Sequence, residues 1–285
     1  AAAWLTDEGY DVTVLEARRR TGGRIWTDRS LGMPLDLGAS WIHGTSGNPL
    51  MELAAAQGLS TRATGESYVI RGGDGREMSD ADAPAWLENV AEVQHSLGAD
   101  ARDVNGSAYW ADTDYEGEEL ILPGGYDRLL GGIADGLDIR FEHVVTRVDV
   151  GEDGVRLQDS KGRDAVFDAV IVTVPLGVLK RRAIRFSPPL PRAKTDAIAR
   201  LGMGTLDKVY LRYEEVFWDA DVTWILTPEN GLPEGQFNQW LNLSRYTGAP
   251  VIVAFNGAEP ARDLAALPDA EIVQRAHRTL ARAYP

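Results

Sequence analysis

Cysteine is absent from the sequence, which excludes disulfides, thiolate metal sites and a cysteine nucleophile. Histidine is scarce, and the four histidines show no spacing of the H-E-x-x-H kind, so we predict no metal site. No apolar run approaches the ~20 residues that a membrane-spanning helix needs, and no membrane partner is expected. A signal peptide is absent as well, so a cytoplasmic location is the expectation.

Basic residues are outnumbered, because 43 acidic residues stand against 29 basic ones and the net charge is -14. Such a balance disfavours nucleic acid as a partner, since binding a phosphate backbone requires basic patches. It suits a cationic small molecule or a basic peptide, although solubility alone explains it equally well. Five acidic residues form a cluster between residues 112 and 119. Such a cluster is typical of a solvated loop; the alternative is that its negative charge attracts a cationic ligand. The five residues are Asp112, Asp114, Glu116, Glu118 and Glu119.

The glycine motif G-x-G-x-x-G is also missing. Nevertheless, residues 11–15 are typical of a short buried strand, and this strand ends on Glu16. A helix is predicted before it, over residues 1–8, with Gly9 as its end. An acidic residue at the tip of the second strand of a dinucleotide-binding βαβ unit accepts hydrogen bonds from ribose hydroxyls. Either the fold binds no nucleotide, or the chain begins just after its phosphate loop.

Three arginines at residues 18–20 and a Gly-Gly turn at 22–23 follow closely after Glu16, and Arg24 comes after the turn. Arginine offers a planar, permanently charged fork that suits a diphosphate, and glycine lets the backbone approach a ligand closely. The alternative is a solvated basic turn after an edge strand. Residue types alone do not decide between these two interpretations.

A second motif, Gly-Ala-Ser-Trp-Ile-His-Gly, occupies residues 38–44, and Asn-Pro follows at 48–49. Together with Glu-Ala-Arg at 16–18 and Gly-Gly-Arg at 22–24, this run resembles the flavin-containing amine oxidases. That family includes polyamine oxidases, monoamine oxidases and the flavin-type histone demethylases.

A third motif lies far from the first two and is similar to the same family. It reads T-V-P-L-G-V-L-K at residues 173–180, and F-S-P-P-L-P follows at 186–191. Because the motifs occur in the family's order, the resemblance covers essentially the whole chain.

The resemblance implies an α/β (α+β) fold with a Rossmann-like FAD-binding domain interleaved with an antiparallel-sheet substrate domain. We assign residues 1–50 and 120–200 to the FAD-binding domain, and residues 51–119 and 201–285 to the substrate domain. The β-branched run at 169–174 is predicted to be a parallel strand buried on both faces. Since the family's phosphate loop and C-terminal flavin-binding elements are absent, we expect the chain to be the middle of a longer protein.

The cofactor implied by the resemblance is FAD. The implied cofactor-binding residues are Glu16, Arg18, Arg24, Ser40, Trp41 and Val145. In the family, the Gly-Ala-x-Trp loop lies against the flavin, and the residue matching Val145 meets the adenine through its backbone. Without the family Val145 carries no signal, because any hydrophobic strand would show a valine there.

Lys208 is the predicted catalytic residue. Strand alternation puts Lys208 and Tyr210 on one face of a strand within residues 206–213. By residue type alone, a strand lysine is usually exposed and inert. The resemblance, however, places a lysine here that reaches the reactive nitrogen of the flavin through a water. Such a lysine can help to deprotonate amine or water, provided that burial lowers its pKa.

Two further residues are candidates for contact with the substrate. His43 is a polar group in an apolar loop, which by itself is typical of a satisfied core histidine. The family carries a polar residue facing flavin and substrate at this position. Trp240 matches a region whose aromatics line the amine pocket, although a strand tryptophan is more often part of the core.

The implied function is oxidation of a small amine, with a polyamine as the expected substrate. Hydride passes from the carbon next to nitrogen to FAD, and dioxygen reoxidises the flavin with release of hydrogen peroxide. One alternative is a related flavoenzyme, such as an L-amino-acid oxidase or a protoporphyrinogen- or carotenoid-type oxidase. Another is an inactive chain without bound cofactor. The sequence indicates neither which amine is oxidised nor the oligomeric state.

Overall fold

The structure, a computed structural model, describes residues 1–106 and 115–285. Its contacts divide the chain into two compact units, each built from two separate stretches of sequence. The first unit comprises Ala1–Gly23 and Leu130–Met203, and the second comprises Arg24–Leu129 and Gly204–Pro285. Helices and strands occur in both, so the predicted α/β class is confirmed.

The strands within the described residues are numbered in chain order. They are β1 (Thr13–Leu15), β2 (Thr27–Asp28), β3 (Leu35–Asp36), β4 (Trp41–Ile42), β5 (Arg62–Ala63), β6 (Tyr68–Arg71), β7 (Glu77–Met78), β8 (Leu120–Ile121), β9 (Asp138–Arg140), β10 (Val145–Gly151), β11 (Gly154–Asp159), β12 (Asp164–Phe167), β13 (Arg185–Ser187), β14 (Leu206–Arg212), β15 (Trp224–Leu226), β16 (Gln239–Asn242) and β17 (Val251–Gly257).

The α-helices are numbered in the same way. They are α1 (Ala2–Asp7), α2 (Pro49–Ala56), α3 (Trp86–Asn89), α4 (Gly131–Ala134), α5 (Leu176–Lys180), α6 (Arg192–Arg200), α7 (Ser244–Thr247), α8 (Ala258–Leu264) and α9 (Asp269–Ala283). A π-helix, Val90–His95, continues α3, and short 3-10 helices cover Ala101–Asp103 and Tyr126–Leu130.

In the first unit, β1 pairs in parallel with β9 and leads directly into Glu16. Helix α1 precedes this strand and ends before Gly9, whose φ of +88° suits only glycine at low cost. The remaining strands form a four-stranded sheet in the order β12-β11-β10-β13. Its core includes Val148, Val155 and Leu157.

The predicted buried strand at residues 169–174 is wrong. Within the described residues this segment has no ladder partner and is not a strand. Ile171 is 61% exposed and Val172 is 41% exposed. β-Branched residues favour an extended backbone, but a strand buried on both faces also requires neighbouring strands to pair with and other elements packed over both faces of the sheet.

The second unit is built on a six-stranded sheet in the order β14-β17-β16-β15-β6-β7, which is antiparallel except where β15 meets β6. The sheet packs on both faces. On one face Trp240, Ile225 and Ala254 belong to a core that also contains Leu280 of helix α9. On the other face Phe255 belongs to a second core.

The boundary between the units differs from the domain limits that we expected. Residues 24–50 and 120–129, which we had assigned to the FAD-binding domain, belong to the second unit. The reason is packing, because Leu35 and Ile121 share one hydrophobic core with the sheet residues Leu241 and Val253. The roles of the two units as cofactor and substrate domains remain a prediction.

Candidate active site

Lys208 lies on strand β14, on the same face of the sheet as Tyr210. Its ammonium Nζ donates to the backbone oxygens of Asp36 (3.1 Å) and Gly38 (2.6 Å), and also to the Ser40 hydroxyl. Tyr210 donates its hydroxyl hydrogen to the same Asp36 oxygen at 2.7 Å. A protonated lysine has three N–H donors, so these three oxygens satisfy all of them.

The segment that supplies these oxygens, residues 36–40, is held from its other side by residues 24–26. Leu37 and Gly38 donate their N–H groups to the Trp26 oxygen at 2.8 and 3.2 Å. Gly38 makes this approach possible, since a β-carbon there would lie 1.9 Å from the Arg24 oxygen. The carbonyl groups that face Lys208 are therefore fixed in place by backbone packing.

Two aromatic rings, those of Trp41 and Phe255, lie beside the Lys208 ammonium group, and the Trp224 ring packs against both of them. Trp41 and Trp224 are stacked with centroids 6.2 Å apart, and the Phe255 ring lies 5.9 Å from each of them. The Lys208 nitrogen is 5.6 Å from the Trp41 ring and 5.9 Å from the Phe255 ring. Both distances allow a cation–π attraction, so the protonated amine has aromatic as well as oxygen partners.

Burial lowers the pKa of Lys208 to about 8, while the negative charge of Asp36 acts in the opposite direction. Burial also raises the pKa of Asp36, whose Oδ1 accepts hydrogen bonds from the Thr27 hydroxyl (2.5 Å) and the Tyr126 N–H (3.0 Å). Near neutral pH, Lys208 consequently exchanges a proton more readily than an exposed lysine does. This is the environment that the sequence interpretation required of a proton-handling lysine.

A small cavity of about 30 Å³ adjoins this cluster. Its lining includes Asp36, Ser40, Trp41, Tyr210 and Phe255. A cavity of this size holds about one water molecule. A buried water needs polar partners, and the oxygen atoms of Asp36 and Ser40 are of that kind.

His43 lies two residues beyond Trp41, and its side chain is 70% exposed. Its Nδ1 is 2.6 Å from Oε2 of Glu119. It is therefore not the satisfied core histidine that residue type favoured, and its role as a substrate residue stays a prediction. Of the acidic cluster, Glu116, Glu118 and Glu119 are exposed, whereas Asp112 and Asp114 lie outside the described residues.

The structure corrects the prediction that Trp240 contacts the substrate. Trp240 pairs with Ala254, whereas Lys208 pairs with Phe255, so the two side chains point to opposite faces of the sheet. The Trp240 side chain is fully buried, and its Nε1–H already donates to the Phe237 oxygen at 3.0 Å. Trp240 is a core residue with no face open to a substrate.

The residues predicted around the adenosine portion fall mostly in the first unit. Glu16, at the end of β1, accepts the Arg18 N–H at 2.8 Å through Oε1. The Glu16 oxygen accepts the His143 N–H at 2.9 Å, and Val145 lies two residues further on. The Val145 N–H already donates to the His143 oxygen at 3.1 Å, so that hydrogen is not free for an adenine ring.

Arg18 and Arg24 are exposed, and within residues 1–106 and 115–285 neither guanidinium group has a hydrogen-bond or ion-pair partner. Arg19 and Arg20 differ from them. Arg19 pairs with Glu142 at 2.9 Å, and Arg20 holds the Gly-Gly turn through the Gly23 oxygen at 2.9 Å. Of these four guanidinium groups, those of Arg18 and Arg24 therefore remain open to an anionic ligand.

Sequence reasoning missed several residues of the Lys208 cluster, above all Asp36, Trp224 and Phe255. Strand alternation indicated Tyr210, which shares a face with Lys208, but it could not indicate residues on other strands. No group of three metal-ligating side chains occurs in the described part of the chain. None of its helices has the length and apolarity to cross a membrane.

Comparison with known proteins gives this cluster a context. The family model described as flavin containing amine oxidoreductase matches residues 1–104 and 69–285. The chain belongs to this family. The match confirms the family to which the sequence motifs pointed, and the cofactor of that family is a flavin.

Two relatives show the range of the flavin containing amine oxidoreductases that resemble this chain. Polyamine oxidase 2 of Arabidopsis thaliana is 32% identical over 330 residues, which cover 94% of this chain and 66% of the relative. Lysine-specific histone demethylase 1 homolog 3 of Oryza sativa subsp. japonica is 29% identical, with 96% and 41% covered. The chain thus spans slightly less than two thirds of the Arabidopsis protein.

Among solved structures, cyclohexylamine oxidase from Brevibacterium oxydans IH-35A matches with a TM-score of 0.72 and 21% sequence identity. The match covers 99% of this chain and 78% of that chain. At this level of identity the likeness shows the fold alone.

The residues present fit a flavin dinucleotide. Glu16 closes a strand at its carboxyl end, where nucleotides bind in α/β sheets, and a carboxylate accepts the hydrogen bonds of ribose hydroxyls. The free guanidinium group of Arg18 is a match for a diphosphate. At Gly23 a β-carbon would meet nothing within 4 Å, so the surface beside the turn is open.

Proposed function

We propose that the protein oxidises a polyamine-type substrate with FAD as its cofactor. Overall, an amine, dioxygen and water would yield an aldehyde, a smaller amine and hydrogen peroxide. When bound, the flavin supplies the redox chemistry, taking two electrons and a proton from the substrate carbon–nitrogen unit and returning them to dioxygen. The observation that carries the proposal is Lys208, a lysine of lowered pKa fixed among oxygens and aromatic rings.

The chain's own residues supply proton handling and orientation. An amine gives up hydride only as the neutral base, and Lys208 in its neutral form accepts a proton at Nζ from the substrate or from a water. The rings of Trp41, Trp224 and Phe255 provide apolar and cation–π contacts for an amine near that nitrogen. Similarity to the plant polyamine oxidases and the net charge of -14 support a polycationic substrate.

Cofactor binding gives the first test. The purified chain is mixed with FAD, freed of excess by gel filtration and examined for the visible flavin bands. We expect a yellow protein whose colour is bleached by spermine under nitrogen and returns in air. A chain that retains no flavin, or a bound flavin that spermine leaves oxidised, would contradict the proposal.

Replacing Glu16 by alanine tests the adenosine contacts without relying on turnover. Loss of hydrogen bonds to a charged acceptor is expected to raise the dissociation constant of FAD roughly tenfold to a hundredfold. Quenching of flavin fluorescence measures this constant. Glu152→Ala, which removes an exposed carboxylate from the turn after β10, is the matched control and should bind FAD as the unmodified chain does. Equal affinity of both variants would remove Glu16 from the site.

The dependence on pH follows from the pKa of Lys208. Because burial lowers it to about 8, the neutral, proton-accepting form grows as the pH rises through that value. The rate of flavin reduction by a saturating amine should therefore increase between pH 7 and 9 and then level off. Ionisation of the substrate also acts in this range, so the same profile is recorded for Lys208→Met. The contribution of Lys208 is the part of the rise that this variant lacks, and identical profiles would contradict its role.

A further inference from the structure

The contact between His43 and Glu119 carries an inference beyond the proton chemistry of Lys208. We propose that Glu119 is a positioning residue, which holds His43 in the tautomer with hydrogen on Nδ1 and so leaves Nε2 as an acceptor for a substrate N–H. This inference rests on the proposed amine oxidation.

The backbone brings the two side chains together. Ile42 pairs with Leu120 in the antiparallel β4–β8 ladder, so His43 and Glu119 are the next cross-strand pair beyond it. Residues directly opposite in such a ladder have their β-carbons about 5 Å apart, within reach of a side-chain hydrogen bond. The contact is therefore a product of strand register.

The flanking residues keep this register. Ile42 is fully buried, and Asn48 donates its Nδ2 hydrogens to the oxygens of His43 and Gly44, each at 3.0 Å. Thr45 and Ser46 donate their N–H groups to the Glu116 oxygen at 2.9 and 2.8 Å. His43 is thus an exposed side chain on a fixed backbone, which is a suitable support for a binding group.

A chain of contacts connects the pair to the Lys208 cluster. The Trp41 ring lies 5.6 Å from the Lys208 nitrogen, and its Nε1–H donates to the Thr64 hydroxyl at 3.1 Å. That hydroxyl in turn donates to the Glu119 backbone oxygen at 3.1 Å. Glu119 therefore contacts His43 through its carboxylate, and its backbone oxygen is connected to the Trp41 ring through the Thr64 hydroxyl.

The chemistry depends on which ring nitrogen carries the hydrogen. A carboxylate accepts but cannot donate, so a neutral His43 bonded to Glu119 must donate from Nδ1, and Nε2 then has a free lone pair. Within the described residues, Nε2 of His43 has no hydrogen-bond partner. Amines carry N–H donors, and Nε2 is an acceptor of that kind. Without the carboxylate, free imidazole prefers hydrogen on Nε2, where it would repel an N–H donor.

The test reads the tautomer directly by nitrogen-15 NMR of the labelled chain above pH 8, where an ordinary histidine is neutral. His43→Gln identifies the His43 signals among those of the four histidines. We expect the Nδ1–H pattern in the unmodified chain and a shift toward Nε2–H in Glu119→Ala. Glu118→Ala removes the same charge from the same exposed segment and should leave the pattern unchanged. An Nε2–H pattern in the unmodified chain, or one that Glu119→Ala does not alter, would overturn the inference.

Binding and kinetics test the substrate side. Addition of spermine should shift the Nε2 resonance of the unmodified chain and not that of Glu119→Ala. With FAD bound, Glu119→Ala should raise KM for spermine roughly threefold to tenfold with a smaller change in kcat, and Glu119→Asp should recover part of the loss. A fixed tautomer without a spermine-dependent shift would also overturn the inference. Failure of the proposed oxidation appears separately, as a flavin that spermine leaves oxidised while the NMR results hold.

Discussion

Replacement of Lys208 by methionine is expected to slow flavin reduction by spermine roughly a hundredfold to ten-thousandfold, the range that a positioned acid or base contributes. Methionine has nearly the length of lysine and keeps the contacts with Trp41 and Phe255, but it cannot take a proton. Anaerobic stopped-flow spectroscopy of the FAD-loaded chain measures the rate of bleaching. FAD affinity should change little, since Glu16 and Arg18, the residues proposed to bind the adenosine diphosphate portion, belong to the other unit.

Lys180 offers a matched control for this substitution. Its ammonium also donates to three oxygens, those of Ile198 (3.1 Å), Ala199 (3.0 Å) and Leu201 (2.7 Å). Lys180→Met therefore removes the same chemical group and the same number of hydrogen bonds, but at an exposed helix end in the first unit. We expect its rate of flavin reduction to equal that of the unmodified chain. Equal rates for both variants would show that Lys208 handles no proton in the reaction.

The contrast between Lys208 and Trp240 shows what the sequence predicts about a site. Alternation along one strand is a local geometric rule, and it correctly placed Lys208 beside Tyr210. Whether Trp240 lies on the same face depends on the register between separate strands. That register is set by pairing with Ala254 and by packing against the helix α9, which no local pattern reports.

The oxygens around Lys208 were equally beyond the sequence. They belong to residues that precede Lys208 by 168 to 172 positions, and two of the three are backbone carbonyls that no residue type reveals. Strand 169–174 was mispredicted for a related reason, because β-branched composition indicates an extended chain but not a pairing neighbour. Motifs indicated the family, whereas the register and the carbonyl contacts required coordinates.

Gly38→Ala is expected to lower the free energy of unfolding by about 3 kcal/mol, near the upper end of the range for overpacking. The added carbon would lie 1.9 Å from the Arg24 oxygen and 3.0 Å from the Trp26 nitrogen, both backbone atoms that cannot rotate away. Urea denaturation, read by tryptophan fluorescence, measures the change. Since the same segment supplies the carbonyls that hold Lys208, flavin reduction in the folded fraction should slow as well.

Gly202→Ala distinguishes this steric effect from the general cost of replacing a glycine. A β-carbon at Gly202 would meet nothing within 4 Å, and its backbone conformation is open to other residues. Alanine there should leave stability unchanged or raise it slightly, because it restricts the unfolded chain. If Gly38→Ala unfolds at the same urea concentration as Gly202→Ala, residues 24–26 do not press against the 36–40 segment. The carbonyl oxygens would then not be held in place by the backbone.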